Sequence, residues 1–157
     1  MKKIIDKLAQ THNLNKEEFK TLLENRTPEN SHYLLKKAKE LRDEHFGKEV
    51  YIRGLIEFTN YCKNDCLYCG IRKSNLNASR YRLTQEEILS CCENGYGLGF
   101  RTFVLQGGED SGFTHEEMVD LVKTIRGKFS DCAITLSIGE KTYQEYLDYY
   151  QAGANRY

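Results

Sequence analysis

The sequence predicts an α/β fold, a partial (β/α) TIM-like barrel of about three to four strand–helix units preceded by N-terminal helices. Three observations carry this reading. Beyond a charged helical first third, runs rich in β-branched and aromatic residues alternate with amphipathic helical stretches, the pattern of a parallel sheet with helices outside. Thr-x-x-Glu capping boxes mark where two of those helices begin. The unusual residues lie in loops that follow strands, the rim on which barrel active sites are built.

Residues 1–47 form the helical segment. Lys2 to Gln10 puts Ile4, Ile5 and Leu8 on one face. Asn15 caps a second helix carrying Phe19, Leu22 and Leu23, and Thr27-Pro28 opens a longer helix that Gly47 ends. Residues 48–157 form the barrel part. Its first strand runs through Val50-Tyr51-Ile52-Arg53-Gly54-Leu55-Ile56-Glu57-Phe58, and a cysteine-rich loop follows directly. Thr84-Gln85-Glu86-Glu87 starts a helix, Arg101 to Gln106 is the second strand, and Thr114-His115-Glu116-Glu117 starts the next helix. Cys132 to Gly139 is the third strand, a tyrosine-rich helix spans about Thr142 to Ala152, and Asn155-Arg156-Tyr157 reads as the first step of a fourth strand. A closed eightfold barrel needs roughly 250 residues. The expectation is therefore the N-terminal part of a larger barrel, truncated and not active alone.

Charge excludes some partners. With 23 basic and 23 acidic residues, nothing favours nucleic acid or an anionic membrane. No run is apolar enough for a signal peptide or a membrane span. Six cysteines without an export signal read as thiols and metal ligands in a reducing compartment, with a cytoplasmic location the default.

The chemistry concentrates in Cys62-Lys63-Asn64-Asp65-Cys66-Leu67-Tyr68-Cys69-Gly70. Three thiolates on one short loop can hold three irons of a 4Fe–4S cluster and leave the fourth iron open, whereas ordinary cubane and structural zinc sites take four protein ligands. Tyr68 would sit beside such a cluster and could pack on a bound nucleoside. The competing reading is a zinc knuckle with a borrowed fourth ligand, but His12, His32, His45 and His115 all lie well outside the loop. A second motif, Gly107-Gly108-Glu109, follows the second strand. Glycines admit close backbone approach, and the carboxylate can accept from an ammonium group. Alone it reads as a turn, the usual role of a glycine pair after a strand; its position one unit after the cysteine loop gives it weight. Ser137 and Glu140 end the third strand on the same rim as candidate cofactor or substrate contacts, and Glu57 shares a strand face with Leu55. Cys91 and Cys92 read as one surface and one buried thiol, Cys132 as core, Arg72, Arg80 and Arg82 as structural or solvated, and Tyr143, Tyr146, Tyr149 and Tyr150 as helix packing.

The CxxxCxxC run with an aromatic residue before its last cysteine resembles the radical S-adenosylmethionine (SAM) enzymes. The stretches Ile56 to Cys62, Cys66 to Arg72, Arg80 to Ile88, Leu105 to Asp110, Thr135 to Glu140 and Ala152 to Tyr157 are similar to the HydE-type FeFe-hydrogenase maturases, near the methylornithine and biotin synthases. That resemblance implies a radical SAM barrel with a 4Fe–4S cluster on Cys62, Cys66 and Cys69. It implies SAM chelating the open iron, with Gly107, Gly108 and Glu109 near its amino group. Reductive cleavage to a 5′-deoxyadenosyl radical would follow, acting on a small-molecule or small iron-complex substrate during H-cluster assembly, with a ferredoxin or flavodoxin as electron donor. Methylornithine or biotin synthase-like chemistry, and a non-catalytic iron–sulfur or zinc-binding module, stand as the alternatives.

Overall fold

Side-chain caps decide where most of the helices start. Asn15, Thr27, Thr84, Thr114 and Thr142 each accept from a backbone N–H in the first turn, and all but Thr27 complete a reciprocal capping box with a glutamate. A computed structural model describes residues 1–157 and divides them into two units, Met1–Tyr51 and Ile52–Tyr157.

The first unit contains helices α1 (Lys2–Thr11), α2 (Lys16–Glu24) and α3 (Pro28–Phe46). Ile5 and Leu14 are its buried apolar side chains, and Tyr33 on α3 donates to Asp6 on α1 at 2.6 Å. Pro28 occupies the first turn of α3, where its missing N–H costs nothing.

The second unit is built in the order β1 (Gly54–Thr59), α4 (Gln85–Gly97), β2 (Thr102–Gly107), α5 (His115–Lys128), β3 (Ala133–Ser137) and α6 (Tyr143–Ala152). The strands form one parallel sheet in the order β1-β2-β3. Burial follows the two-residue period of the strands. Ile56, Phe58, Phe103, Leu105, Ile134 and Leu136 are buried among Ile88 and Cys92 of α4, Met118, Leu121, Val122 and Ile125 of α5, and Tyr149 of α6. The opposite face carries Leu55, Glu57, Gln106 and Ser137, all exposed, with Glu57, Gln106 and Ser137 in one register row. Helices on one face and an open second face are the arrangement of a barrel wall.

A fourth strand does begin. Arg156 bridges Thr135 in parallel, and Asn155 N–H donates to the Ile134 carbonyl at 2.8 Å. Arg126 anchors that end by donating to the carbonyls of Cys132 (2.7 Å) and Gly153 (2.6 Å) and to the Asn155 side chain (2.6 Å).

Two expectations change. The first strand starts at Gly54 rather than Val50, because Val50, Tyr51 and Ile52 find no strand partner and lie exposed. Of the tyrosines on α6, Tyr149 is buried and Tyr146 stacks edge-on with Tyr157, while Tyr143 and Tyr150 face outward. Helical periodicity places only part of that set on the inner side. The cysteine readings hold: Cys91 is exposed, Cys92 and Cys132 are buried.

Candidate functional site

The C-terminal ends of β1, β2 and β3 meet on one rim. From β1 the chain passes Thr59 and Asn60 into the cysteine loop and returns at Arg82, which bridges Thr59 in antiparallel fashion. Arg80 organises this excursion from within. Its guanidinium donates to the carbonyls of Asn60 (2.5 Å), Ile71 (2.8 Å), Arg72 (2.7 Å) and Asn75 (3.3 Å). The loop also closes on itself, through Cys69 N–H to the Cys66 carbonyl (3.0 Å), Lys73 N–H to the Asn64 carbonyl (2.9 Å) and Ser74 N–H to the Asp65 carboxylate (3.0 Å). Loop geometry is thus fixed by the chain itself.

The loop is pinned to the end of β2. Lys63 N–H donates to the Glu109 carbonyl at 3.0 Å. Gly108 packs directly on the first cysteine: a Cβ added there would lie 2.7 Å from Cys62 Cβ and collide with the Tyr61 carbonyl oxygen. Only glycine permits that approach.

Two carboxylates follow on the rim, with different partners. Glu109 accepts from Asn64 Nδ2 at 2.6 Å and from Lys63 Nζ at 2.9 Å. The Lys63 hydrogen bond holds the Glu109 carboxyl below its usual range; burial opposes this, and Asn64 and the Glu140 backbone N–H add to the lowering. Asp110 turns inward. It accepts from Thr59 Oγ1 (2.6 Å), Arg82 Nε (2.6 Å) and Nη2 (2.7 Å), and Gly112 N–H (2.8 Å). Burial alone would raise the Asp110 carboxyl, but these donors outweigh it and hold it down to about 2. The same Arg82 lies over the Tyr61 ring, 3.9 Å from its centroid.

The positions singled out in the sequence fall as follows. Cys62 and Cys69 are half-buried, Cys66 is exposed, and all three thiols are free. Tyr68 projects outward, 92% exposed. Gly107, Gly108 and Glu109 share the rim with the loop, and Gly107 abuts Thr59: a Cβ there would lie 2.7 Å from Thr59 Cγ2. Ser137 is exposed at the end of β3, apart from the polar contacts that join the cysteine loop to Glu109. No three His, Cys, Asp or Glu side chains converge at single-ion spacing. In a cubane each thiolate takes its own iron. Three soft donors on a pinned loop fit a cluster. Arg80 takes the structural role read for it, while sequence reasoning missed the roles of Lys63, Asn64 and Asp110. Their side-chain partners across the rim lie far off along the chain, Glu109 45 positions from Asn64 and Thr59 51 positions from Asp110, and no local periodicity announces such pairs.

No family model matches the chain. It is 44% identical over 124 residues to the [FeFe] hydrogenase maturase subunit HydE of Thermotoga maritima, covering 79% of this chain and 35% of that protein. It is 32% identical over 152 residues to the 3-methylornithine synthase of Methanosarcina barkeri, covering 96% of this chain and 43% of that protein. Among solved structures, methylornithine synthase (PylB) superposes with a TM-score of 0.85 at 32% identity, over 97% of this chain and 45% of that one. HydG, a maturase of the [FeFe]-hydrogenase, superposes with a TM-score of 0.84 at 27% identity, over 98% of this chain and 35% of that one. The chain thus spans less than half the length of the relatives it matches.

Proposed function

The chain belongs to the radical SAM superfamily, and we propose that Cys62, Cys66 and Cys69 hold a 4Fe–4S cluster beside a SAM site on Gly107, Gly108 and Glu109, in an enzyme of hydrogenase maturation. The observation that carries this reading is the pinning of the cysteine loop onto the glycine–glutamate rim, through Lys63 N–H to the Glu109 carbonyl at 3.0 Å and the close seat of Gly108 on Cys62. It brings a soft three-thiolate donor set next to an ammonium-accepting carboxylate.

The chemistry that such a cluster and SAM supply when bound is reductive cleavage of the sulfonium bond, giving methionine and a 5′-deoxyadenosyl radical. This chain's residues supply placement. Arg80 fixes the path of the loop, and Asp110 with Arg82 joins its return to the end of β2. The Glu109 carboxylate offers a negative acceptor for the amino group of the cofactor, and exposed Tyr68 offers a ring to its nucleoside. The open sheet face with Glu57, Gln106 and Ser137 is the side on which a small-molecule or small iron-complex substrate would meet the radical. Electrons would come from a ferredoxin or flavodoxin.

A second reading, methylornithine synthase, is favoured by the longer alignment, which extends over 96% of the chain against 79% for HydE. Higher identity over the shared stretch favours HydE. Anaerobic reconstitution with iron and sulfide tests the cofactor assignment. Four irons per chain, with an electron paramagnetic resonance spectrum altered by SAM, are expected; Cys66→Ala abolishes iron binding and Cys91→Ala does not. Bound zinc without iron, or full iron content in the Cys66→Ala protein, would refute it.

A further inference from the structure

Gly139 gives the Glu109 stem its room and takes order away from the loop that supplies it. A Cβ at Gly139 would run into Glu109 Cγ, and the φ of +84° is a conformation that glycine enters and leaves freely. Two tyrosines hold this loop from outside. The Tyr157 hydroxyl donates to the Gly139 carbonyl, and the Lys141 N–H donates to the Tyr146 hydroxyl at 3.2 Å. The two rings meet edge-on, with centroids 4.6 Å apart and planes at 86°. Tyr157 reaches Gly139 because its segment is laid along β3: Leu136 N–H donates to the Arg156 carbonyl at 3.0 Å, and Arg126 Nη2 holds the Asn155 side chain at 2.6 Å. Tyr146 comes from α6, whose start Thr142 caps. The backbone is thus fixed on both sides of Glu140, whose N–H itself favours the charged form of Glu109.

We propose that Tyr157 and Tyr146 are positioning residues for the cofactor: together they clamp the β3–α6 loop, and through Gly139 they keep the Glu109 carboxylate in place as the acceptor for the SAM amino group. This rests on the SAM site assigned above. An amine bound to iron keeps its N–H donors, so what the site requires of Glu109 is an acceptor oxygen at a fixed position. Without the clamp, the Gly139 peptide is free to turn and the Glu109 stem gains rotamers. Part of the binding free energy would then go into ordering them again. The tyrosines act on affinity through pre-organisation, with no contact of their own to the ligand.

The test is a set of SAM-binding isotherms on the cluster-loaded chain, read from the SAM-dependent change in the electron paramagnetic resonance spectrum of the reduced cluster. Wild type, Tyr157→Phe, Glu109→Gln and the double variant are compared. Phenylalanine keeps the ring and its edge-on partner and removes only the hydroxyl. Tyr157→Phe is expected to take up full iron and to bind SAM about two- to tenfold more weakly, the range of one hydrogen bond. In the Glu109→Gln background the same change should cost nothing further, because a residue acting through Glu109 has no other route to the ligand. Tyr146→Phe removes the acceptor for Lys141 N–H and should lose affinity in the same range, which keeps the proposal open to refutation if Tyr157→Phe does not fold. Unchanged SAM affinity in either tyrosine variant overturns the clamp. Losses that add in the double variant overturn it too, since the tyrosine would then act independently of Glu109. A wild-type chain that takes up no cluster or shows no response to SAM refutes the functional reading instead, as does a Glu109→Gln chain with wild-type affinity.

Discussion

Arg82 and Asp110 form a two-pronged ion pair that closes the cysteine loop, with Nε at 2.6 Å from one carboxylate oxygen and Nη2 at 2.7 Å from the other. Asp110 is only 3% exposed, so its charge depends on this partner, on Thr59 and on Gly112 N–H. The folded-state carboxyl lies at about 2 against an ordinary 3.8. A depressed carboxyl adds stability that is fully present above its ordinary value and is lost as pH falls from about 3.8 through about 2. The expected size is about 2 kcal/mol. Urea unfolding of wild type and Asp110→Asn across that range is the measurement. The gap between them should be widest near neutral pH and narrow on acidification; a constant gap would contradict the assignment.

Burial separates the six cysteines by reactivity. Burial pushes the Cys92 thiol up to about 12 and raises Cys132 as well. Near pH 8 both remain protonated and enclosed, hence poor nucleophiles. Brief alkylation of the cluster-free chain should modify Cys66 and Cys91 first, then Cys62 and Cys69, and spare Cys92 and Cys132. Peptide mass spectrometry reads this directly. Early modification of Cys92 would show that α4 opens.

Gly108→Ala tests the seat of the first cysteine. The new methyl would lie 2.7 Å from Cys62 Cβ and against backbone at Tyr61, and backbone cannot rotate away. Overpacking of this kind costs about 1–3 kcal/mol, and here it displaces Cys62. Iron content after reconstitution should fall well below that of wild type while the far-ultraviolet circular dichroism of the six helices stays unchanged. Gly127→Ala, in open space on α5, serves as the control and should match wild type.

Much of this architecture was legible in the sequence, for physical reasons. Capping boxes at Thr84 and Thr114 are local, because a threonine and a glutamate three residues on satisfy each other's backbone neighbours. Burial alternates along β2 and β3 in step with the strand period, so β2 appears within one residue and β3 within two of their expected limits. The cysteine spacing was equally local. The rim was not. Asp110 pairs with Arg82 28 positions earlier and Glu109 with Asn64 45 positions earlier, and only the fold brings them together. Val50 to Ile52 misled because β propensity describes a fit to a pleated, half-buried surface, and these residues have no strand beside them.

Gly139 gives the sharpest test of how β3 supports Glu109. Its φ of +84° lies in the left-handed region, and a Cβ at this position would run into Glu109 Cγ and lie 2.6 Å from Cδ. Alanine therefore meets two penalties, backbone strain of about 1–2 kcal/mol and a forced shift of the Glu109 side chain. The stem of Glu109 has somewhere to go, since Lys63 is mostly exposed and can follow it outward. The fold should survive, losing about 1–3 kcal/mol in denaturant unfolding. The carboxylate would be lifted off Asn64 while Cys62, Cys66 and Cys69 stay untouched. Gly139→Ala should then bind a full complement of iron but bind SAM at least about tenfold more weakly, a loss in the range of one charge-assisted hydrogen bond. Loss of iron would instead tie Gly139 to the cluster loop. Unchanged SAM affinity with full iron would remove Glu109 from the cofactor site, because no other contact of the carboxylate is altered by the added methyl.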